Sequence, residues 1–187
     1  KIAITLKEGD ELISIFKTTG NDNIFLATRN GMAICFNEND ARAVGRTASG
    51  VKAIDLADGD YVVGAEPVRE DSKVLLVTDG GYGKCTDLTS FRIQHRGGKG
   101  LKAYKITEKT GNIIGISMVN DSEELIMVTS EGVVIRIRIK DIASTTGRIT
   151  QGVRLINLEK RNDEIASVCK VLSESVDENL QDDNVTE

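Results

Sequence analysis

A twelve-residue segment occurs three times in this chain, and the three copies align without gaps. The copies are IFLATRNGMAIC, VLLVTDGGYGKC and LIMVTSEGVVIR, which begin at residues 24, 74 and 125. Each is an apolar run that ends in threonine, followed by a turn with glycine at one fixed place and then a second run. This pattern is typical of a β-hairpin, because glycine supplies the positive φ of a tight turn. The offsets of 50 and 51 residues predict a repeat architecture.

Two further blocks repeat in phase with the hairpin. The second block is GRTASGVKAI (45–54), HRGGKGLKAY (95–104) and GRITQGVRLI (147–156). The third block is ADGDYVVGAEPV (57–68), EKTGNIIGISMV (108–119) and, more loosely, EKRNDEIASVCKV (159–171). A unit of this length with about four short strands and glycine turns is typical of a propeller blade. We therefore predict an all-β fold, a β-propeller or β-pinwheel, over a β-sandwich with accidental internal similarity.

The repeats also predict how the chain is divided. We expect three four-stranded blades over about 23–72, 73–122 and 123–172. Residues 1–22 are interpreted as the end of a preceding blade and the first strand of the repeat array, because KEGDELISIF matches the third block. Propellers typically need four to eight blades to close. Three blades therefore belong to a longer propeller, or two copies complete each other by self-association.

The charge of the chain is unevenly distributed. The formal net charge is −5, but residues 173–187 contain six acidic side chains and no basic one. We expect this segment to be an acidic disordered tail, because it has little to bury. The remaining residues are close to neutral, so the positions of their cations matter more than their number.

The remaining composition excludes some classes of protein. The three cysteines are widely spaced and form no C-x-x-C pair, which predicts reduced thiols in a cytoplasmic protein. No apolar run approaches the roughly 18 to 20 residues that span a membrane, so we expect no membrane association. The chain begins at Lys1 without a methionine, and we expect it to be part of a longer protein.

Basic side chains recur at equivalent positions of the second block. An arginine is followed six residues later by another cation in each copy: Arg46 and Lys52, Arg96 and Lys102, Arg148 and Arg154. Equivalent positions of a radial repeat lie on one band of the surface, so these cations predict a curved basic track. Such a track suits the phosphates of bent duplex DNA, which carries one negative charge per about 1.7 Å of axis. The alternative is that the charges are only solvated loop residues.

The kind of nucleic acid also follows from composition. Proteins that bind single strands stack bases on aromatic side chains, and only 4% of this chain is aromatic. Proteins that read base edges commonly use a recognition helix, and no segment has a useful helical period. Sequence-tolerant binding of double-stranded DNA through phosphates and bending remains.

Catalytic and metal sites are not expected in this chain. His95 is the only histidine, and the cations around it disfavour the protonated form that a general base must adopt. One histidine and dispersed cysteines do not make a metal site. The stretch GGYGKC lacks the spacing of a phosphate-binding glycine loop. We therefore predict no catalytic residue, no metal ligand and no cofactor.

The stretch QHRGGKG (94–100) resembles the gyrase box, Q-[RK]-R-G-G-[RK]-G, of the C-terminal domain family of bacterial DNA gyrase A subunits. His95 is the one position that departs from the box. The resemblance implies a six-bladed β-pinwheel whose neighbouring blades exchange strands, with this chain as its last three blades and acidic tail. The box on which DNA wrapping most depends lies in the first blade of such domains, so the resemblance implies an auxiliary DNA contact for this later copy.

The resemblance also implies a function for the chain. It implies a non-catalytic domain that wraps double-stranded DNA around a basic rim and so supports ATP-dependent negative supercoiling. ATP and magnesium would be used elsewhere in the parent enzyme, a nucleoid-associated A2B2 assembly of gyrase A and gyrase B subunits. The alternatives are the equivalent domain of the topoisomerase IV A subunit, and a propeller that serves only protein contacts.

The predicted phosphate contacts combine the repeated cations, the box and neighbouring basic residues. They are Arg46, Lys52, Lys84, Arg92, Gln94, His95, Arg96, Gly97, Gly98, Lys99, Gly100, Lys102, Lys105, Arg136, Arg138, Arg148 and Arg154.

Overall fold

The computed structural model describes residues 4–158 and 163–172. Its strands are β1 (Asn23–Thr28), β2 (Met32–Asn37), β3 (Val62–Pro67), β4 (Lys73–Thr78), β5 (Tyr82–Asp87), β6 (Leu101–Lys102), β7 (Ile113–Val119), β8 (Glu123–Thr129), β9 (Val134–Arg138), β10 (Ser144–Thr145), β11 (Val153–Arg154) and β12 (Ile165–Leu172). Short 3-10 helices follow β2, β5 and β9, at Glu38–Asp40, Leu88–Ser90 and Ile139–Asp141. The prediction of an all-β fold is confirmed.

Each blade is built on one of the repeated hairpins. The antiparallel pairs β1–β2, β4–β5 and β8–β9 place equivalent residues opposite each other, for example Leu26 with Ile34 and Leu76 with Lys84. The turn glycine has a φ of 85° at Gly31 and 79° at Gly81. The predicted reason for glycine in these turns is therefore confirmed. A third strand, β3, β7 or β12, pairs with the first strand of its own hairpin.

The outer edge of a blade is completed by the next unit of the sequence. In the first sheet, with order β3-β1-β2-β6, the pairing of β6 with β2 spans two units. In the second sheet, β10 pairs parallel and β11 pairs antiparallel with β5. The third sheet has the order β12-β8-β9, and β9 has no outer partner among the described residues. The strand exchange that the resemblance implies is thus observed.

We call the segments that cross between blades the basic arms. The first arm is residues 41–54, the second is 91–104 and the third is 143–156. The second arm lies on the first blade and the third arm lies on the second blade, through β6 and through β10 and β11 respectively. A sequence unit and a sheet are therefore not the same set of residues.

Neighbouring blades pack through glycines on their inner strands. A Cβ at Gly64 would lie 2.5 Å from the Cγ2 atom of Ile116, and a Cβ at Gly115 would overlap Val168 in the same way. Glycine lets an isoleucine or valine of the next blade approach the strand backbone at these two equivalent places. The arms add to the same core, since Phe91 meets Phe25 edge to face at a ring distance of 4.9 Å.

The predicted first strand of the array within residues 1–22 is not formed. Residues 4–22 contain no β-strand, and they pair with no strand in the described part of the chain. A strand requires a partner edge for its backbone groups, which explains the difference. The predicted tail, 173–187, lies outside the described residues.

Candidate nucleic-acid interface

The second and third arms dock on the preceding blade through equivalent hydrogen bonds. The backbone N–H of Ala103 donates to the carbonyl of Gly31 over 2.8 Å, and that of Leu155 donates to the carbonyl of Gly81 over 2.8 Å. The hairpin glycine therefore does two things, because it makes the turn and receives the arm. This geometry explains why the hairpin block and the arm block repeat in phase.

The repeated arginines hold the arms in place. The Nε of Arg96 donates to the carbonyl of Asp40 over 2.7 Å, and its Nη1 donates to the carbonyl of Lys52 over 3.1 Å. Arg148 makes the equivalent bonds one blade later, from Nε to the carbonyl of Lys102 over 2.9 Å and from Nη1 to that of Ser90 over 3.0 Å. Each guanidinium thus ties its own arm to the preceding arm and to the preceding 3-10 helix. We call this pair of bonds the arginine clasp.

Backbone hydrogen bonds also join each arm to the next. The N–H of Asp55, directly after the first arm, donates to the carbonyl of Gly98 over 2.8 Å, and the N–H of Lys105, directly after the second arm, donates to the carbonyl of Thr150 over 3.0 Å. The N–H of Gly97 donates to the carbonyl of Ala53 over 2.6 Å. The three arms therefore form one continuous surface segment, which we call the basic strip. The sequence predicted that the repeated cations lie on one band, and the structure places them on adjoining arms.

Most of the predicted cations are exposed. The exposed residues on or beside the basic strip are Arg46, Lys52, Arg92, His95, Lys99, Lys102, Lys105 and Arg154. Lys52 is paired with Asp55 over 2.9 Å, and both side chains are largely exposed. The hydrogen bond and charge of Lys52 lower the pKa of the Asp55 carboxyl. An exposed pair of this kind contributes little to stability, so Lys52 can exchange its partner for a phosphate at little cost.

His95 lies at the surface of the box loop. Its side chain is 97% exposed, and its Nδ1 lies 3.3 Å from the Oδ2 of Asp40. The sequence showed no nearby carboxylate, because Asp40 comes from the preceding unit. The fold brings the two together when the second arm docks beside the 3-10 helix of the first blade.

Two of the predicted phosphate contacts are corrected by the structure. Lys84 is 1% exposed and lies inside the second blade, so it cannot meet a phosphate in this arrangement. The side-chain Nε2 of Gln94 is also buried, without a hydrogen-bond partner. The burial of Lys84 could have been predicted from the alignment of the repeats, because Ile34 and Ile135 occupy its place in the other hairpins.

The box glycines act through the backbone. Gly100 has a φ of 72°, and a Cβ there would overlap the carbonyl of Ala33. Gly97 has a φ of 80°, and its N–H is already bonded to the first arm. Gly98 is exposed at the loop surface. The glycines therefore allow the arm to approach the blade and present Lys99 at the surface.

Arg136 and Arg138 lie on β9 of the third blade and not on an arm. Arg136 forms an ion pair with Glu124, and the Nε of Arg138 donates to Asp141 over 2.8 Å. Their charges are partly neutralised by these partners. They extend the positive surface less than the sequence suggested.

The sequence did not single out the acidic and aromatic residues that complete the interface. Asp40 lies beside His95, and Asp55 lies beside Lys52. Only Asp55 is close in sequence to its partner, three residues after Lys52, so only that pair could have been found from the sequence. The hydroxyl of Tyr104 donates to the carbonyl of Gln151 over 2.6 Å, which fixes the third arm. Burial raises the pKa of Tyr104 above its usual range.

Two other features are absent from the described part of the chain. Among residues 4–158 and 163–172, no helix is long and apolar enough to cross a membrane. The same residues contain no group of three or more histidine, cysteine or carboxylate side chains arranged to hold a metal ion.

The comparison with known families agrees with this geometry. The sequence model described as "DNA gyrase C-terminal domain, beta-propeller" matches residues 1–19, 22–69, 72–120 and 123–169. The chain belongs to this family. The four matched segments follow the sequence repeat, and the first of them is the partial copy at the start of the chain.

Individual relatives give the same result. The chain is 49% identical over 168 residues to the DNA gyrase A subunit of Ureaplasma parvum, which covers 90% of this chain and 20% of the relative. It is 46% identical over 186 residues to that of Staphylococcus epidermidis, which covers 98% of this chain and 20% of the relative. The chain thus spans about a fifth of the length of these curated relatives.

Two solved structures share the fold. One is the C-terminal domain of DNA topoisomerase IV, with a TM-score of 0.85, 28% identity, and coverage of 91% of this chain and 53% of that one. The other is a DNA gyrase A C-terminal domain, with a TM-score of 0.81, 27% identity, and coverage of 92% of this chain and 58% of that one. The predicted propeller class is therefore confirmed by both family and fold.

Proposed function

We propose that this chain is the DNA-binding and DNA-wrapping part of a gyrase A subunit, and that its basic strip contacts the phosphates of a bent duplex. The observation that carries the proposal is the continuity of the three arms, which places Lys52, Lys99, Lys102 and Arg154 along one hydrogen-bonded segment. Cations that recur along one surface segment suit the phosphates of a sequence-tolerant, bent duplex.

The arginine clasp refines which residues serve this function. In Arg96 and Arg148, Nε and Nη1 are engaged by backbone carbonyls, so these side chains act first as supports of the arms. The exposed lysines carry the phosphate contacts in this proposal. The later box loop is thus an auxiliary contact in which Arg96 orients the loop and Lys99 meets the DNA.

The test is the salt dependence of binding to a duplex of random sequence. A variant with Lys52, Lys99 and Lys102 changed to alanine should bind more weakly, and its log-log salt slope should fall by about 0.9 for each phosphate that is no longer neutralised. The matched control changes Lys73, Lys109 and Lys140, which lie off the arms and remove the same charge. An equal slope in wild type and strip variant would contradict the proposal.

The parent enzyme belongs to the same proposal. We infer a gyrase A subunit over the topoisomerase IV equivalent, because relatives named gyrase A are 46 to 49% identical over nearly the whole chain. In that enzyme, the partners would be the B subunit together with the rest of the A subunit, in an A2B2 assembly in the cytoplasm at the nucleoid. ATP and magnesium would act elsewhere, and wrapping by this chain would give strand passage its direction.

Self-association of this chain is a further part of the proposal. The first arm has no blade edge beneath it among the described residues, and β9 has no arm on its outer side. If the first arm of one copy docked on β9 of another as β6 docks on β2, Lys52 would lie opposite Val133, just as Lys102 lies opposite Met32. Sedimentation should show concentration-dependent association, and a proline in place of Val134 should abolish it, since the N–H of Val134 faces the outer edge of β9 and proline removes that donor. A monomer at all concentrations would exclude this contact.

A further inference from the structure

Lys84 is a buried cation with an unusual set of partners. It lies on β5 with 1% of its surface exposed. Its Nζ donates to the carbonyl of Arg148 over 2.5 Å and to that of Gly147 over 3.3 Å. The ring of Tyr104 lies 5.3 Å from the same Nζ. Within the described residues, no carboxylate forms an ion pair with it.

The fold of a blade does not require a lysine at this place. Ile34 and Ile135 occupy the equivalent positions and pack as apolar side chains in the first and third hairpins. A buried charge costs free energy unless its partners compensate for it. Burial, and then the charge of Arg148, lower the pKa of Lys84 to about 8. The lysine is therefore retained at a cost that an isoleucine would avoid.

Both carbonyl partners belong to the third arm. A second polar side chain acts on the same arm, since the hydroxyl of Tyr104 donates to the carbonyl of Gln151. Tyr104 is also exceptional among the repeats, because Ile54 and Ile156 align with it. The third arm is thus held by two polar side chains, whereas the equivalent places in the first unit are taken by Ile34 and Ile54, which belong to one apolar cluster.

We propose that Lys84 is the positioning residue of the third basic arm, and that its ammonium holds the Gly147 and Arg148 carbonyls so that the segment from Arg148 to Arg154 is presented to DNA in one orientation. This inference rests on the proposed function of the basic strip. Lys84 does not touch DNA. It acts through the arm above it, and its positive charge adds to the potential at that part of the strip.

The experiment compares wild type with Lys84→Met and Lys84→Ile, and uses Lys73→Met as the control on the neighbouring strand. Amide exchange of residues 146–154, measured without DNA, should become roughly tenfold faster in both Lys84 variants and stay unchanged in the control. Affinity for duplex DNA at low salt should fall about three- to tenfold, the effect of removing a few charge-assisted interactions. Exchange and affinity equal to wild type would overturn the proposal.

Thermal unfolding separates positioning from a merely structural role. Because the substitutions remove a buried charge, the melting temperature at pH 7 should stay equal to wild type or rise while binding weakens. A lower melting temperature with unchanged arm exchange in the folded state would assign Lys84 to stability alone and overturn the proposal.

The pH dependence gives a second readout. The difference in DNA affinity between wild type and Lys84→Met should shrink between pH 7 and pH 9, as Lys84 loses its proton. Two other ionisable groups face it: Arg148, whose guanidinium charge lowers the pKa of Lys84, and Tyr104, whose own pKa is raised by burial. A difference that does not change with pH would contradict the role of the ammonium.

The proposed function can fail separately from this inference. If wild type binds no DNA, faster arm exchange in the Lys84 variants still supports positioning and the function alone is rejected. If wild type binds DNA and the Lys84 variants bind equally well with equal exchange, the positioning role alone is rejected.

Discussion

The first and second basic arms share an arginine, a glycine and a lysine at equivalent positions but have different structures. The second arm forms β6 on the edge of β2, and its residues Ala103 and Tyr104 are fully buried. The first arm forms no strand, and Val44 and Val51 remain 48% and 36% exposed. Among residues 4–158 and 163–172, a blade edge lies beneath the second of these two arms and not beneath the first. The conformation of an arm is therefore determined as much by the neighbouring blade as by its own residues.

The glycine shared by the two arms gives the largest expected contrast. Gly100→Ala should lower the free energy of unfolding by about 2 to 4 kcal/mol, because a Cβ overlaps the Ala33 carbonyl in addition to the strain of positive φ. Gly50→Ala, whose φ is 81° with nothing within 4 Å of a Cβ, should cost only about 1 kcal/mol. Denaturant unfolding of both variants measures the contrast. Equal losses would show that docking on the blade does not determine the role of this glycine.

The arginine clasp gives a contrast of intermediate size. Arg96→Ala removes two hydrogen bonds from a guanidinium to backbone carbonyls, which should cost about 1 to 2 kcal/mol and increase amide exchange in the second arm. Arg46→Ala at the equivalent place should leave stability within about 0.5 kcal/mol, the usual range for a surface side chain. Exchange measured by mass spectrometry locates the effect. A loss of stability in Arg46→Ala as large as in Arg96→Ala would break the distinction.

The exposed lysines should show the smallest effect on stability. Lys52→Ala and Lys102→Ala, one in each arm, should leave the unfolding midpoint unchanged, because the ion pair of Lys52 is exposed and Lys102 is an exposed surface side chain. Both should nevertheless weaken DNA binding if the strip is continuous. If only Lys102→Ala weakened DNA binding, the interface would be restricted to arms that are docked on a blade, and the first arm would be excluded from it.

Much of this organisation was predictable from sequence, because the repeats carry their own register. Gly31, Gly81 and Gly132 marked the hairpins, and the alignment of Arg96 with Arg148 predicted equivalent positions on the surface; in the structure both arginines form the same clasp. What each arginine does was less predictable. An arginine in a basic loop can meet phosphate or backbone carbonyls equally well, and only the position of the preceding arm distinguishes these roles.

Substitutions between the repeats also needed the fold for their explanation. In the first hairpin the turn N–H of Asn30 is bonded by Asp60, whereas glycine stands at the position equivalent to Asp60 in the second unit. There, Asp79 of the hairpin bonds the N–H of Asn112 instead, and Gly111 leaves room for its carboxylate. In both units a carboxylate links the hairpin turn to the third block. In the first unit the aspartate belongs to the third block, and in the second it belongs to the hairpin, which an alignment of the units cannot show.

By itself, the sequence determined the period, the all-β class, the family and the set of basic residues, since periodicity and glycine turns are local properties of the chain. Only the tertiary structure decided which cations are available. It buried Lys84 beneath the third arm, engaged Arg96 and Arg148 with carbonyls, and left Lys99 and Lys102 in solvent. The physical reason is that exposure and partners depend on which blade an arm crosses to, and the partner residues lie about 50 positions away in the chain.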